Sequence, residues 1–295
     1  MMQSVDALIQ LLDDPDEGVF SHIESVLRGY GTAVLPQLSA AQDGSRDKLL
    51  KHRISNLLKR IYQGEASQLL QDWVISDHRN LLKGAHLVSQ IAAQDADYDK
   101  LSDRFNRLTR DVWIEFNENL TALEKVRVLN YILFDVHGFS VTQPPFHAPE
   151  EHCIHRTLKR KSGSPVVLSI LYASLASKLG MPVHTISLPG QFILAYMDGE
   201  SFIPTKTKST DVLFYINVFH KGTVFSAREI KKYLRKMNVK PDPSHFYPGS
   251  NIQAIQQLLR SLEFSFETTG RQDEAMLVKN ARENMLIPVP SGGMS

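Results

Sequence analysis

The densest group of reactive side chains is His152-Cys153-Ile154-His155, with His147 five residues before it. A cysteine flanked by histidines could act as a nucleophile whose proton a neighbouring imidazole accepts, with His152 or His155 as the partner. His147, His152, Cys153 and His155 could also ligate a metal, although their spacing matches no common zinc pattern. Adjacent residues on a helix point about 100° apart, which would turn His152 and Cys153 away from each other. The plain alternative is a half-buried cysteine acting as a small hydrophobe between surface histidines. Ser169 has no adjacent base, so it is expected to pack or to bond the carbonyl four residues back rather than to react. Arg156, Lys159, Arg160 and Lys161 form one basic run, and Lys231, Lys232, Arg235 and Lys236 another. Each could meet phosphates or an acidic partner, or form a solvated helix face, and the near-neutral total charge favours the latter. There is no Walker loop, dinucleotide-binding glycine pattern or Cys-x-x-Cys pair. In Gly163-Ser164-Pro165 the proline removes an N–H that a phosphate loop would use.

The whole chain bounds these options. Its 295 residues can hold one large or two modest domains, and 42% hydrophobic with 22% charged residues is ordinary for a soluble globular protein. A net charge of +1 argues against broad binding to nucleic acid or an anionic membrane. No apolar run approaches bilayer-spanning length. The first residues, MMQSVDALIQLLDDPDE, are acidic and lack a secretion-signal pattern. The single Cys153 rules out intrachain disulfides and fits a reducing compartment. The expectation is a cytoplasmic protein with no cofactor and no bound metal.

The elements that position these residues follow from periodicity. Residues 1–116 are expected to form a helical layer, with stripes at Leu50, Ile54, Leu57, Leu58 and Ile61, closed by Gly64, and again at Leu81, Leu82, Ala85, Val88 and Ile91. The segment Leu8–Leu38, with its Asp-Pro-Asp turn, resembles a HEAT-type helical repeat. Thr121–Glu124 and Ser226–Glu229 match capping boxes. The segment FSVTQPPFHAPEEH reads as an extended surface loop before a short basic helix. Lys161–Met197 organises the core: Pro165 opens an apolar helix striped by Leu168, Leu171, Tyr172, Leu175 and Leu179, and Gly180 and Pro182 close it. The period then changes to two. Val183–Leu188, Phe192–Met197, a return strand at Ser201–Pro204, a polar loop at Thr205–Thr210, Asp211–Phe219 and Thr223–Phe225 predict an antiparallel sheet of hairpins beside the helix. The fold class is therefore α+β. Residues 117–248 form the core, 249–287 a C-terminal helical hairpin, and 288–295 a disordered tail.

The ordered segments LNYILFDVHGF, LKRKSGSPVVLSILYASLASKLGMPV, LPGQFILAYMDG and YINVFHKG resemble the SirB type of the transglutaminase-like family. That resemblance implies a papain-like layout. A cysteine at the start of the core helix, a histidine on a following strand and an aspartate on the next would form a triad. Carried over position by position, the nucleophile falls on Pro165, the base on Gln191 and the orienting acid on Asn217. Proline offers no nucleophile, and a carboxamide is no base near neutral pH. The resemblance thus implies a non-catalytic protein-binding or regulatory scaffold whose helical layer meets a protein partner. The enzyme alternative is an acyl-transferase or hydrolase built on Cys153.

Overall fold

The computed structural model describes residues 5–93, 95–117, 119–199 and 211–285. The return strand and polar loop expected at 201–210, and the tail at 288–295, lie outside these residues. The chain divides into two compact units, one ending at Leu69 and one beginning at Leu70.

The first unit holds α1 (Val5–Gln10), α2 (Glu17–Gly29), α3 (Leu35–Gly44) and most of α4 (Lys48–Ser76). Leu8, Leu12, Leu27, Leu38, Ile54 and Leu57 form its core. The Asp-rich turn is held from below by Arg53, whose guanidinium donates to the Leu12 and Asp14 carbonyls at 2.9 and 2.7 Å and pairs with Glu17 at 2.8 Å. These bonds satisfy carbonyls that a helix end leaves open. Gly64 does not close a helix, contrary to the sequence expectation: α4 runs through it to Ser76. An interior glycine weakens a helix by only about 1 kcal/mol relative to alanine, and packing on either side outweighs that.

The second unit begins with the end of α4 and continues through α5 (Leu81–Ala92), α6 (Tyr98–Ile114) and α7 (Ala122–Asn130), which passes into one π-helical stretch, Tyr131–Val136. Two-residue strands β1 (Ser140–Val141) and β2 (Ser162–Gly163) pair in parallel and clasp the segment between them. That segment carries a 3-10 turn, Pro149–His152, and α8 (Ile154–Arg160). Then come α9 (Pro165–Lys178), β3 (Val183–Leu188), β4 (Gln191–Met197), β5 (Val212–Asn217) and β6 (Thr223–Phe225). The helices α10 (Ala227–Lys236), α11 (Asn251–Thr268) and α12 (Gln272–Asn284) follow. The four long strands form an antiparallel sheet in the order β3-β4-β5-β6.

Local chemistry explains the boundaries. Ser164 accepts from the Val167 amide and caps α9, with Pro165 at its first position. Both expected capping boxes form, and Ser250 with Gln253 makes another at the start of α11. Gly163 has to be glycine because a Cβ there would fall against Thr157 of α8 and Val167 of α9. The core helix is more enclosed than its stripe suggests: every residue from Val166 to Ala176 is buried. It packs against α5, α8 and α11 on its helical side and against β3 and β4 on the other. The opposite sheet face is covered by α10 through Ile230 and Leu234. Among the described residues no helix is long and apolar enough to cross a membrane.

Candidate functional site

The connection from α9 into β3 is short, so the helix and strand run in opposite directions. The helix rises about 21 Å over its length and the strand extends about 20 Å, which returns the chain to the level of the α9 N-terminus near Leu188. Gln191 pairs with Leu188 across the hairpin, and Leu194 pairs with Ile216, so Asn217 lies at the same end. Topology therefore brings Pro165, Gln191 and Asn217 to one end of the layer.

It does not bring them to one face. Ile193, Ala195 and Met197 of β4, Ile186 and Leu188 of β3, and Tyr215 of β5 all pack with α10. Gln191 and Asn217 fall in that same alternation. The other set of β4 side chains faces α9, where Tyr196 lies close enough to Tyr172 to add to the rise that burial causes in the Tyr172 phenol pKa. Gln191 is exposed. Asn217 uses its side-chain oxygen to accept from the Phe219 amide at 3.0 Å, which caps the turn after β5. Among the described residues no hydrogen bond joins any two of the three positions.

The His–Cys cluster is sealed, which corrects the expectation of a half-buried cysteine between surface histidines, although Gln143, Pro144 and Pro145 of the preceding loop are exposed. Cys153, His152 and His155 are 1%, 3% and 8% exposed. Their segment wedges between α5, α9 and α11, and Ser265 of α11 donates to the His147 carbonyl. The Cys153 thiol donates to the Pro149 carbonyl at 3.6 Å, and burial pushes its pKa up to about 12, only partly offset by Arg156. Position at the start of α8 would favour thiolate, but α8 has only seven residues and desolvation wins. Its first amide is instead satisfied by Ser89 of α5, at 2.9 Å.

Burial lowers the His152 pKa to about 4, opposed by the Phe146 backbone, and neither ring nitrogen has a hydrogen-bond partner of good geometry. His155 reaches Asp95 at 3.3 Å through Nε2, and burial still lowers its pKa. His86 packs edge-on to Tyr98, with its pKa lowered to about 4 by burial and then by His155. Burial raises the Glu151 pKa, as does neighbouring Glu150. Arg156 is tied to Asp95 at 3.0 Å and Glu150 at 3.4 Å, so the first basic run is not a free cationic face. Ser169 is buried, and its hydroxyl lacks the expected bond to the carbonyl four residues back. Among the described residues no group of three or more His, Cys, Asp or Glu side chains is arranged to hold a metal ion.

Sequence reasoning missed two features. Asn130 bridges the core: it donates to the Gly222 carbonyl at 2.8 Å and accepts from the Tyr172 hydroxyl at 2.9 Å. A cleft of about 710 Å³ also opens at the C-terminal end of α9, away from Pro165, Gln191 and Asn217. Its lining comes from four separate stretches of chain, so no local motif marks it.

A central helix on an antiparallel sheet, with its N-terminus level with the ends of two strands, is the frame of the transglutaminase-like superfamily. Residues 99–260 match the model of that superfamily, and the chain belongs to it. It is homologous to Escherichia coli K12 UPF0162 protein YchA, 24% identical over 207 residues that cover 68% of this chain and 72% of that one. Salmonella typhimurium LT2 protein SirB1 is 23% identical over the same shares. Human F-box only protein 21 is 27% identical over 165 residues, 55% of this chain but only a quarter of that much longer protein. No solved structure matches.

Proposed function

We propose that this transglutaminase-like chain is a non-catalytic binding protein, a regulatory scaffold for a protein partner that meets its HEAT-like N-terminal helices. The observation that carries this is the occupancy of the three family positions: Pro165, Gln191 and Asn217 supply neither nucleophile, base nor orienting carboxylate. The placement of Gln191 and Asn217 on the α10 face supports the same conclusion, because side chains there do not converge on the α9 N-terminus. The alternative, an acyl-transferase or hydrolase using Cys153 with His152 or His155, is favoured only by the adjacency of those residues. Against it stand the burial of the thiol and its role as donor to Pro149.

The test is the alkylation rate of Cys153 in the native protein as a function of pH. With a thiol pKa near 12, the thiolate fraction at pH 7 is about three orders of magnitude below that of a free thiol near 8.5. Native Cys153 is expected to react at least a hundredfold more slowly than the same thiol in denaturant, with no plateau up to pH 9. A plateau below pH 7 would mean a stabilised thiolate and would replace the non-catalytic assignment with the enzyme.

A further inference from the structure

The cleft at the C-terminal end of α9 is lined by cations without a carboxylate. The protein carries 33 basic and 32 acidic residues. Arg79 and Lys178 both line the cleft, and none of its described lining residues is an aspartate or glutamate. Neither cation has an ion-pair partner among the described residues, and both are exposed. Tyr98 and Ser102 also line it, and the buried Leu82 and Phe105 add an apolar wall.

The two cations sit on fixed supports. The turn that carries Arg79 is pinned from two sides: the Asn251 side chain donates to the His78 and Arg79 carbonyls at 3.1 and 3.0 Å, and the Trp73 indole donates to the Asn80 carbonyl at 2.9 Å. Lys178 stands on the exposed last turn of α9, whose preceding residues Val166–Ala176 are all buried. The carbonyls at that helix end are not bare, since Leu179 and Met181 donate to Leu175 and Ala176 at 3.0 and 2.8 Å. The negative end of the helix dipole is thereby blunted where it meets the cleft.

A cleft of this volume is in the range that holds small molecules, and its lining is largely polar with an apolar portion that includes Leu82 and Phe105. We infer that it binds a small organic anion, a phosphate or carboxylate head held by Arg79 and Lys178 with an apolar body against Leu82 and Phe105. This site is independent of the non-catalytic assignment, because it lies at the other end of α9 from Pro165.

The structure supplies its own reporter. Trp73 is buried and bonded to the Arg79 turn, whereas the other tryptophan, Trp113, is 67% exposed. In the full chain carrying Trp113→Phe, calorimetric titration measures affinity while Trp73 emission locates the binding. Butyl phosphate and butyrate are expected to bind saturably and shift Trp73 emission, whereas butanol and butylammonium do neither. Arg79→Ala with Lys178→Ala, both at exposed positions, is expected to weaken both anions about tenfold or more, the size of a lost charge-assisted hydrogen bond. Lys232→Ala with Lys236→Ala, on the exposed face of α10, is expected to leave them unchanged. Equal binding of butylammonium or butanol, equal loss in the two double variants, or no saturable binding of either anion by about 10 mM would overturn the inference.

Discussion

Acidification from pH 7 to pH 4 is expected to strip the second unit of much of its stability, with the steepest loss between pH 6.5 and 4. His86, His152 and His184 all have folded pKa values of about 4, burial being the first cause in each, against about 6.5 when unfolded. Between those values the unfolded chain holds more protons than the folded one. Stability therefore rises with pH through the window and is lost as pH falls. For His152, the most enclosed of the three, the shift corresponds to roughly 3 kcal/mol. His86 and His184 add smaller amounts because solvent reaches them more readily. Glu151 acts in the opposite sense, since its pKa, raised by burial and by Glu150, favours the protonated folded form as pH falls. Asp95, whose pKa is held down by Arg156 and His155 against a burial effect, adds a loss only at lower pH. Urea unfolding at pH 7, 6, 5 and 4.5 should show the midpoint falling steadily. His152→Leu should flatten that slope by close to one proton while leaving stability at pH 7 unchanged or higher, because two buried unpartnered nitrogens go with the ring. A profile that stays flat down to pH 4.5 would mean that the rings are charged and paired in the folded state.

Replacement of Gly222 by alanine is expected to destabilise the fold by about 3–5 kcal/mol, for two compounding reasons. The residue has φ +74°, where a Cβ is strained. A Cβ there would also overlap the Asn130 carboxamide. If Asn130 moves, both of its bonds are lost, and the fully buried Tyr172 hydroxyl is left without an acceptor. Orphaning a buried hydroxyl costs about 1–3 kcal/mol by itself. Because the damage passes through Asn130, it should be non-additive. Gly222→Ala in a Tyr172→Phe background should cost about 1 kcal/mol less than in the wild type. A loss below about 1 kcal/mol in chemical denaturation would show that the turn can yield without disturbing Asn130.

Some of this architecture is legible in the sequence because local and tertiary preferences agree there. Ser164-Pro165 and Gly180 bracket α9, Thr121 and Ser226 announce their helices, and the change of period after Gly180 gives the sheet. Gly64 misleads because one weak helix residue carries no information about the core that holds α4. The facing of Gln191 was hidden for a different reason. Phe192 through Met197 are all buried, so β4 has no polar alternation to say which side meets α9. The enclosure of His152 and His155 could not be read from residue types that usually favour solvent, and the anion cleft is assembled from residues as distant as Arg79 and Lys178.

The enclosure of α9 also constrains how this chain can drift. A half-exposed helix such as α10 offers substitution a free side: Arg228, Lys232 and Lys236 face solvent while Ile230 and Leu234 are buried. Along Val166–Ala176 there is no such side, and even the small Ala173 and Ser174 are buried. A saturation scan scored by soluble expression should show tolerance recurring about every 3.6 residues in α10 and a flat, intolerant run through α9. Related chains would then keep α9 close to its present volumes while their surface helices diverge, whatever ligand or partner each has acquired.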